Sequence, residues 1–417
     1  MKKLVILCVS FIIFSTPSFG QVVQFTLDNA IDIALKNNLE LQAKRKNIDI
    51  LKEEIRMANA LKNPEFRSNF LIGKVTQGNS SQFGLAIPIE IAKRGVRKKS
   101  VIAQLNIAEN EIKQAEHNLK IEVMGAYFDI LYMKSLVFIL NEREELYREM
   151  QEIANKKSDD VEKLQADIKY KKQLILLNKA KADLLNAQFV LNDVLNLKDN
   201  SIMYDTSELY LFGNVSMLKI ELPQYSDIED IAMKYSYSIK IAQDNIEKSE
   251  YDVKIAQHKR IPDVTLSGGY AYQTANQTGY EALPGAFVGA NVNLPVFYTY
   301  RPEIKRAYTI VEKTKINKES FESRLRFALK EEYNQFKYAK ENIKYYKDIL
   351  KDSDDVLKFS KDNYQKGKIS FMNFLLIENW RQEIIHEYIS AMSIYYHAYL
   401  DLMRNVGHDI LLKEEIL

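Results

Sequence analysis

The side chains able to make or break bonds are few and poorly placed for it. Five histidines, His117, His258, His386, His397 and His408, are the candidates for general-base or metal chemistry. None falls in a metal-ligand pattern such as His-Glu-x-x-His, which sets two imidazoles on one helix face. The acidic pairs Glu53-Glu54 and Glu331-Glu332 lie in charged helical tracts and read as solvated faces. The single cysteine, Cys8, sits in an apolar run near the N-terminus. There is no phosphate loop, nucleophile elbow or Cys-x-x-Cys. The expectation is a protein that is not an enzyme, with no cofactor and no metal, acting through surfaces.

The most informative surfaces are two alternating stretches. From Pro262 to Pro295, Val264, Leu266, Gly268, Tyr270 and Tyr272 share one face, and Thr265, Ser267, Gly269, Ala271 and Gln273 the other. In the second arm Val288, Ala290, Val292 and Leu294 oppose Phe287, Gly289, Asn291 and Asn293. Between Pro64 and Pro88, Phe66, Phe70 and Ile72 oppose Arg67, Asn69 and Gly73, and Phe83, Leu85 and Ile87 oppose Gln82, Gly84 and Ala86. Arms of about ten residues, apolar on one face and small or polar on the other, are the signature of a membrane-spanning β-hairpin. A half-buried soluble hairpin alternates in the same way.

The two hairpins occupy matching places in a tandem repeat. Pro64 and Pro262 are 198 residues apart, Pro88 and Pro295 are 207 apart, and the extra nine fall in the longer second loop. Insertions belong in loops. The expected organisation is a signal peptide (1–20), a first repeat (21–198) with its hairpin at 64–91, and a linker (199–225). A second repeat (226–407) has its hairpin at 262–296, and 408–417 is a tail.

Composition fits long helices. In 417 residues there are only 14 glycines and 8 prolines, while 27% of residues are charged. Lys2-Lys3, the apolar run Leu4 to Phe14 and the small residues Ser18 and Gly20 make a secretory signal peptide. Without Lys2 and Lys3 the basic residues fall from 58 to 56, equal to the 56 acids, which argues against a nucleic-acid partner. No later stretch suggests a transmembrane helix, so a membrane role rests on strands.

Thr26 is placed to cap a helix from Leu27 to Lys36, followed by a second from Leu39 to Leu61 that ends before Pro64. Ser226 with Glu229 forms a capping-box pattern at the start of the second repeat, whose next helix runs to Arg260. After the first hairpin a helix continues to Ala154, and a returning helix covers Asp159 to Leu197. There Leu177, Ala180, Leu184, Ala187, Leu191 and Val194 make a coiled-coil seam. Ile377, Ile384, Ala391 and Ala398 recur every seven residues, interleaved with Arg381, Tyr388, Tyr395 and Leu402.

Two hairpins supply four strands, too few to close a barrel, and open edges are not tolerated in lipid. The chain must then oligomerise. Two copies give eight strands and three give twelve; an eight-stranded barrel is filled by its own side chains, so a conduit needs the larger number. Arg67, Asn69, Thr265, Asn291 and Asn293 would face the wet lumen, and Phe297, Tyr298 and Tyr300 would either mark the interface or pack against neighbouring helices.

The chain resembles the TolC-family outer-membrane efflux proteins across essentially its whole mature length. The resemblance rests on Thr26-Leu-Asp-Asn-Ala-Ile-Asp-Ile-Ala-Leu-Lys-Asn-Asn38, the strand pairs after Asn63-Pro64 and Ile261-Pro262, the repeat, and Tyr364-Gln-Lys-Gly-Lys-Ile-Ser370. It implies a mainly α fold with membrane β: a homotrimer whose twelve-stranded barrel, four strands per protomer, continues into a long α-helical coiled-coil barrel. It also implies an exit duct of a tripartite efflux pump or type I secretion system, in the outer membrane and extending into the periplasm. Its partners would be a periplasmic adaptor and an inner-membrane transporter, of the RND, ABC or similar class, with outer-membrane lipid around the strands.

By the same resemblance the adaptor meets a helical tip at Tyr364, Gly367, Lys368, Ile369 and Ser370, and at Ser158, Asp159 and Asp160. The first-repeat turn lacks the family's glycine. The acidic gate positions of the family fall on Asn373 and Leu376, for which Glu378 or Asp159 and Asp160 are the substitutes. Ile89-Glu-Ile-Ala-Lys-Arg-Gly-Val-Arg97 is similar to the CzcC-like metal-efflux branch. The rival reading is a secreted periplasmic coiled-coil adaptor or structural protein. That accounts for the heptads and the signal peptide but not for two hairpins at matching positions.

Overall fold

The computed structural model describes residues 22–24, 26–71, 80–156, 160–197, 203–205, 220, 222–273 and 283–407. The proposed signal peptide, the tail, Ser158 and Asp159 lie outside the described residues.

The order helix, helix, strand, strand, long helix, long helix occurs twice. First come α1 (Leu27–Asn37), α2 (Leu39–Asn59), β2 (Glu65–Leu71), β3 (Ser80–Ile89), α3 (Lys93–Asn155) and α4 (Asp160–Val194). Then follow α5 (Tyr225–Tyr235), α6 (Tyr237–His258), β5 (Val264–Gln273), β6 (Leu283–Val292), α7 (Arg301–Gln365) and α8 (Phe371–Val406). The long helices match in length: 63 and 65 residues for α3 and α7, 35 and 36 for α4 and α8. At 1.5 Å per residue, α3 and α7 each run about 95 Å. β1 (Val22–Gln24) pairs in parallel with β4 (Met203–Asp205).

Local chemistry explains most boundaries. The Thr26 hydroxyl accepts from the Asn29 amide at 3.4 Å, and the Asn38 side chain accepts from the Leu41 amide at 2.8 Å. α2 stops at Asn59, two residues short of the expected end, because Ala60 is already extended at φ −69°, ψ 148°. The Ser226–Glu229 capping box does not form. α5 begins one residue earlier, at Tyr225, with Gln224 as an N-cap that makes no side-chain bond. Glu229 instead pairs with Arg326 at 3.0 Å. An 18-residue window of α3 is, against expectation, apolar enough to cross a membrane by length and composition. Half of it is buried in the protein's own core.

The chain divides into two compact units. The first comprises Met1–Asn37, Glu122–Ser216 and Tyr345–Ser393. Its core includes Tyr147, Met150, Ala154, Ala166, Tyr364, Phe371, Phe374 and Leu375. Leu177, Ala180 and Leu191 of the expected seam are buried, as are Ile384, Tyr388 and Ala391 on α8.

The second unit comprises Asn38–Ile121, Met217–Lys344 and Ile394–Leu417. It holds a four-stranded antiparallel sheet in the order β2-β3-β5-β6, so that β3 and β5 join the two hairpins. A core of Ile228, Ala232, Ile239, Leu325, Leu329, Leu402 and Val406 packs its helices. β3 runs on through Pro88 to Ile89, two residues past the alternating arm that ends at Ile87 and within the expected hairpin bounds of 64–91. Pro88 opposes Thr265 of β5 and has no partner on the β2 side, where pairing ends at Ala86.

Candidate functional site

The register sorts the sheet into two chemically distinct faces. Arg67 stands opposite Gly84, which stands opposite Gly269, which stands opposite Phe287. The next rows are Asn69, Gln82, Ala271 and Gly285 on one side, and Glu65, Ala86, Ser267 and Gly289 on the other. Thr265 and Asn291 are opposite each other on the same face. Arg67, Asn69, Thr265 and Asn291 are thus brought together on one polar, small-residue face. Asn293, expected with them, lies past the end of β6 at Val292.

The opposite face carries Phe66, Phe70, Phe83, Leu85, Ile87, Leu266, Tyr270, Tyr272 and Val288, all of them exposed. Val288 is 92% exposed, a position that in water costs about 1.5–3 kcal/mol relative to burial. Both sheet edges, β2 and β6, have no strand beyond them among the described residues.

Phe287 is the one aromatic on the polar face of the described strands, and sequence reasoning passed over it. Its ring lies across the β3–β5 seam, where a Cβ on Gly84 or on Gly269 would each come within 2.9 Å of it. An aromatic over paired glycines restores the packing that the missing side chains give up. The available signal was a large ring among glycines in the polar phase of the alternation.

The first unit holds the second site, the turn between α7 and α8. Gly367 adopts φ +69°, the left-handed conformation that ends a helix. The Lys368 amide donates to the Asn363 carbonyl at 2.9 Å and the Gly367 amide to the Tyr364 carbonyl at 3.0 Å, a Schellman pair. The Ser370 hydroxyl then accepts from the Asn373 amide at 3.3 Å to start α8. Gly367, Lys368 and Ser370 are exposed and Ile369 is half-buried, packed on the core.

Tyr364 faces the other way. It is fully buried, its ring stacked 5.6 Å from Phe374, and its hydroxyl donates to Glu162 of α4. Burial and the adjacent Glu162 carboxylate both push the phenol's pKa up. Lys361 pairs with Glu149 at 2.6 Å across α7 and α3. Asp160, at the first turn of α4, is exposed and takes a 3.0 Å bond from Lys163.

Of the gate residues, Asn373 and Leu376 lie on the exposed face of α8. Glu378 does not join them. It is fully buried, with Arg143 Nε 2.9 Å from Oε1 and the Tyr147 hydroxyl donating to Oε2 at 2.5 Å. Arg143 Nη2 also donates to Tyr147 at 2.9 Å and to Asn379 at 2.9 Å. The Glu378 carboxylate is consumed inside the protomer and has no surface to offer a passing cation. Arg143, Tyr147 and Glu162 drew no notice in the sequence, because each sits at an ordinary polar position of a helix. Among the described residues no group of three or more His, Cys, Asp or Glu is arranged to hold a metal ion.

Residues 231–376, from within α5 through β5, β6 and α7 into the first turns of α8, match the family model described as outer membrane efflux protein. The chain carries the fold of the outer-membrane efflux channels. A membrane protein from Pseudomonas aeruginosa superposes with a TM-score of 0.76 at 15% identity, over 93% of this chain and 95% of that one. The outer membrane protein VceC from Vibrio cholerae gives 0.72 at 14%, over 91% and 96%. The Campylobacter jejuni CmeC outer membrane channel gives 0.68 at 16%, over 97% and 94%. At these identities the likeness is one of fold. A sequence comparison with curated proteins returns no match. The matched segment, 231–376, contains the second strand pair and the Gly367 turn, whereas β2 and β3, with Arg67 and Asn69, lie outside it.

Proposed function

We propose that three copies of this chain form the outer-membrane exit duct of a tripartite efflux pump or type I secretion system, conducting cargo passively. The observation that carries this is the sheet. Four strands with two open edges, an exposed apolar face and a polar opposite face are consistent with one third of a closed barrel in lipid. Arg67, Asn69, Thr265 and Asn291 then line the lumen, and the duct performs no chemistry.

Exposed apolar stripes support association of protomers along the helices. On α4, Val161, Ile168, Ile175 and Phe189 are exposed at multiples of seven residues. On α7, Ile316, Phe327, Tyr338 and Ile349 are exposed at steps of eleven, a period that holds one face on a nearly straight helix. The Gly367 turn is the adaptor-docking tip in this reading, with Lys368 and Ser370 as its contact surface and Asp160 near the start of the other tip. Adaptor binding opens the closed state to the extent that it binds the open one better. The two repeats, 21–198 and 226–407, are proposed as duplicated halves of one architecture.

The test is the native mass of the protein extracted from membranes with detergent, followed by bilayer conductance. Three times the mature chain mass with stepwise conductance supports the duct. A monomer released without detergent would sink it and leave the periplasmic coiled-coil protein.

A further inference from the structure

The basic run Lys93-Arg94-Gly-Val-Arg97-Lys98-Lys99 opens α3 directly after β3. The start of a helix is the positive end of its dipole and favours acids. The first turn of α3 contains none. Two of the five cations are accounted for. Lys93 Nζ is 2.9 Å from Asp263. Arg97 spans the Glu90 carboxylate at 3.1 and 3.2 Å and donates to the Ala58 carbonyl at 3.2 Å. Lys62 reaches the same two acids at 3.4 and 3.9 Å. Both nearby acids are thereby saturated.

Arg94, Lys98 and Lys99 have no acidic partner among the described residues. Arg94 and Lys98 are one turn apart and share a face. Ser100 is buried against α6, its hydroxyl donating to Asp252 at 2.7 Å. Lys98, two residues earlier, is about 200° round the helix from that face. Arg94 and Lys98 therefore lie on the side of α3 turned away from α6, and Lys99, about 100° from Ser100, lies on its flank.

A second feature lies at the same end of the sheet, where Ile89 opposes Val264 and Val264 opposes Val292. Just past these strand ends Ile91, Leu294, Val296 and Phe297 are exposed apolar side chains, Phe297 fully so. Tyr298 and Tyr300 meet edge to face at 5.0 Å just beyond. An apolar band closed by aromatic rings and followed at once by unpaired cations has the layering of a bilayer interface: acyl chain, glycerol level, phosphate.

We propose that Arg94, Lys98 and Lys99 form a collar that binds the phosphate of anionic glycerophospholipids in the leaflet at the α3 end of the sheet. This rests on the membrane reading of the sheet given above. It also gives the basic run a role beyond the ties to Glu90 and Asp263. Each cation's aliphatic stem stays along the apolar band while its head reaches the phosphate.

The experiment uses the full-length protein in neutral detergent, titrated with phosphatidylglycerol or phosphatidylcholine and read by native mass spectrometry. Wild type is expected to retain phosphatidylglycerol at least about tenfold better than phosphatidylcholine. The triple variant R94Q/K98Q/K99Q is expected to lose that preference while keeping its oligomeric mass, and the charge-preserving R94K/K98R/K99R to keep it. Equal retention of phosphatidylglycerol by wild type and the glutamine variant overturns the proposal. So does displacement of lipid by inorganic phosphate but not by chloride at equal ionic strength, which assigns the cations to a free phosphate. Loss of the oligomer in the glutamine variant alone assigns them to a subunit contact and overturns it too. Release of wild type without detergent would sink the membrane reading itself, a separate outcome.

Discussion

Tyr364, in the last turn of α7, donates its hydroxyl hydrogen to the Glu162 carboxylate in the first turn of α4. One bond thus ties the starts and ends of helices from the two halves of the chain. A bond to a charged acceptor contributes about 1.5–3 kcal/mol. Tyr364→Phe removes only the hydroxyl and leaves the ring on Phe371 and Phe374. We expect faster amide exchange in residues 360–370 and a raised conductance of the resting protein in planar bilayers. Unchanged exchange and unchanged conductance would show that the bond does not hold the turn closed.

Gly367 separates backbone from surface. A Cβ there meets nothing within 4 Å, but its φ of +69° strains a residue with a side chain, by about 1–2 kcal/mol for alanine. Gly367→Ala is expected to keep efflux in whole cells. Gly367→Asp, with no more strain than alanine and a new charge, is expected to abolish it with membrane levels unchanged. If alanine disables efflux as fully as aspartate, the turn's shape rather than its docking chemistry is what matters.

The parts legible in sequence are those fixed by local period. Alternation found the four strands of the antiparallel sheet, though not the three-residue β1 and β4, and sorted Arg67, Asn69, Thr265 and Asn291 onto one face, because a strand's side chains alternate whatever surrounds it. Thr26 was legible as a helix cap for the same reason, whereas Gly367 was singled out only through the family resemblance. What failed depends on distant partners. Ser226 and Glu229 have the spacing of a capping box, but Arg326, almost a hundred residues on, takes the glutamate. Glu378, expected as a substitute gate acid, is instead buried because α3 brings Arg143 and Tyr147 against it. Phe287 was invisible because its partners, Gly84 and Gly269, come from two other strands.

The seam under Phe287 makes an asymmetric prediction for glycines of one sheet. A Cβ on Gly269 would fall on the Phe83 carbonyl oxygen and lie 2.5 Å from Gly84 Cα, backbone atoms that cannot turn aside. A Cβ on Gly289 meets only the Ser267 hydroxyl, at 2.9 Å. Gly269→Ala should prevent heat-resistant assembly on semi-native gels, whereas Gly289→Ala should assemble normally. Equal behaviour of the two would mean that the β3–β5 register differs from the one described.

The buried Arg143–Glu378 pair should show the asymmetry of a charge without its partner. Arg143→Met leaves a fully buried carboxylate facing one phenol, and such a break costs about 3–5 kcal/mol. Arg143→Met with Glu378→Leu removes both charges and should recover most of that loss. The readout is the midpoint of denaturant unfolding of the first unit, followed by Tyr and Trp fluorescence. A double variant as unstable as the single one would show that packing, not the stranded charge, sets the cost.

Glu332 gives the sheet unit a pH dependence near neutrality. Its Oε1 accepts from the Asn405 side chain while Oε2 is buried without a partner. Burial pushes its pKa up to about 7; Asp401 and Glu331 add to the rise, and Asn405 and Arg404 oppose it. The folded state therefore holds a proton that the unfolded chain, with an ordinary value of 4.5, has already lost. Stability from this group is complete below pH about 4.5 and is lost as pH rises through about 7. The loss should come to about 1–2 kcal/mol for a partly exposed side chain. Glu332→Gln keeps the neutral donor–acceptor pattern at every pH. The variant should match wild type near pH 5 and unfold at a higher temperature at pH 8. An advantage of the same size at both pH values would show that the carboxylate does not titrate in this window.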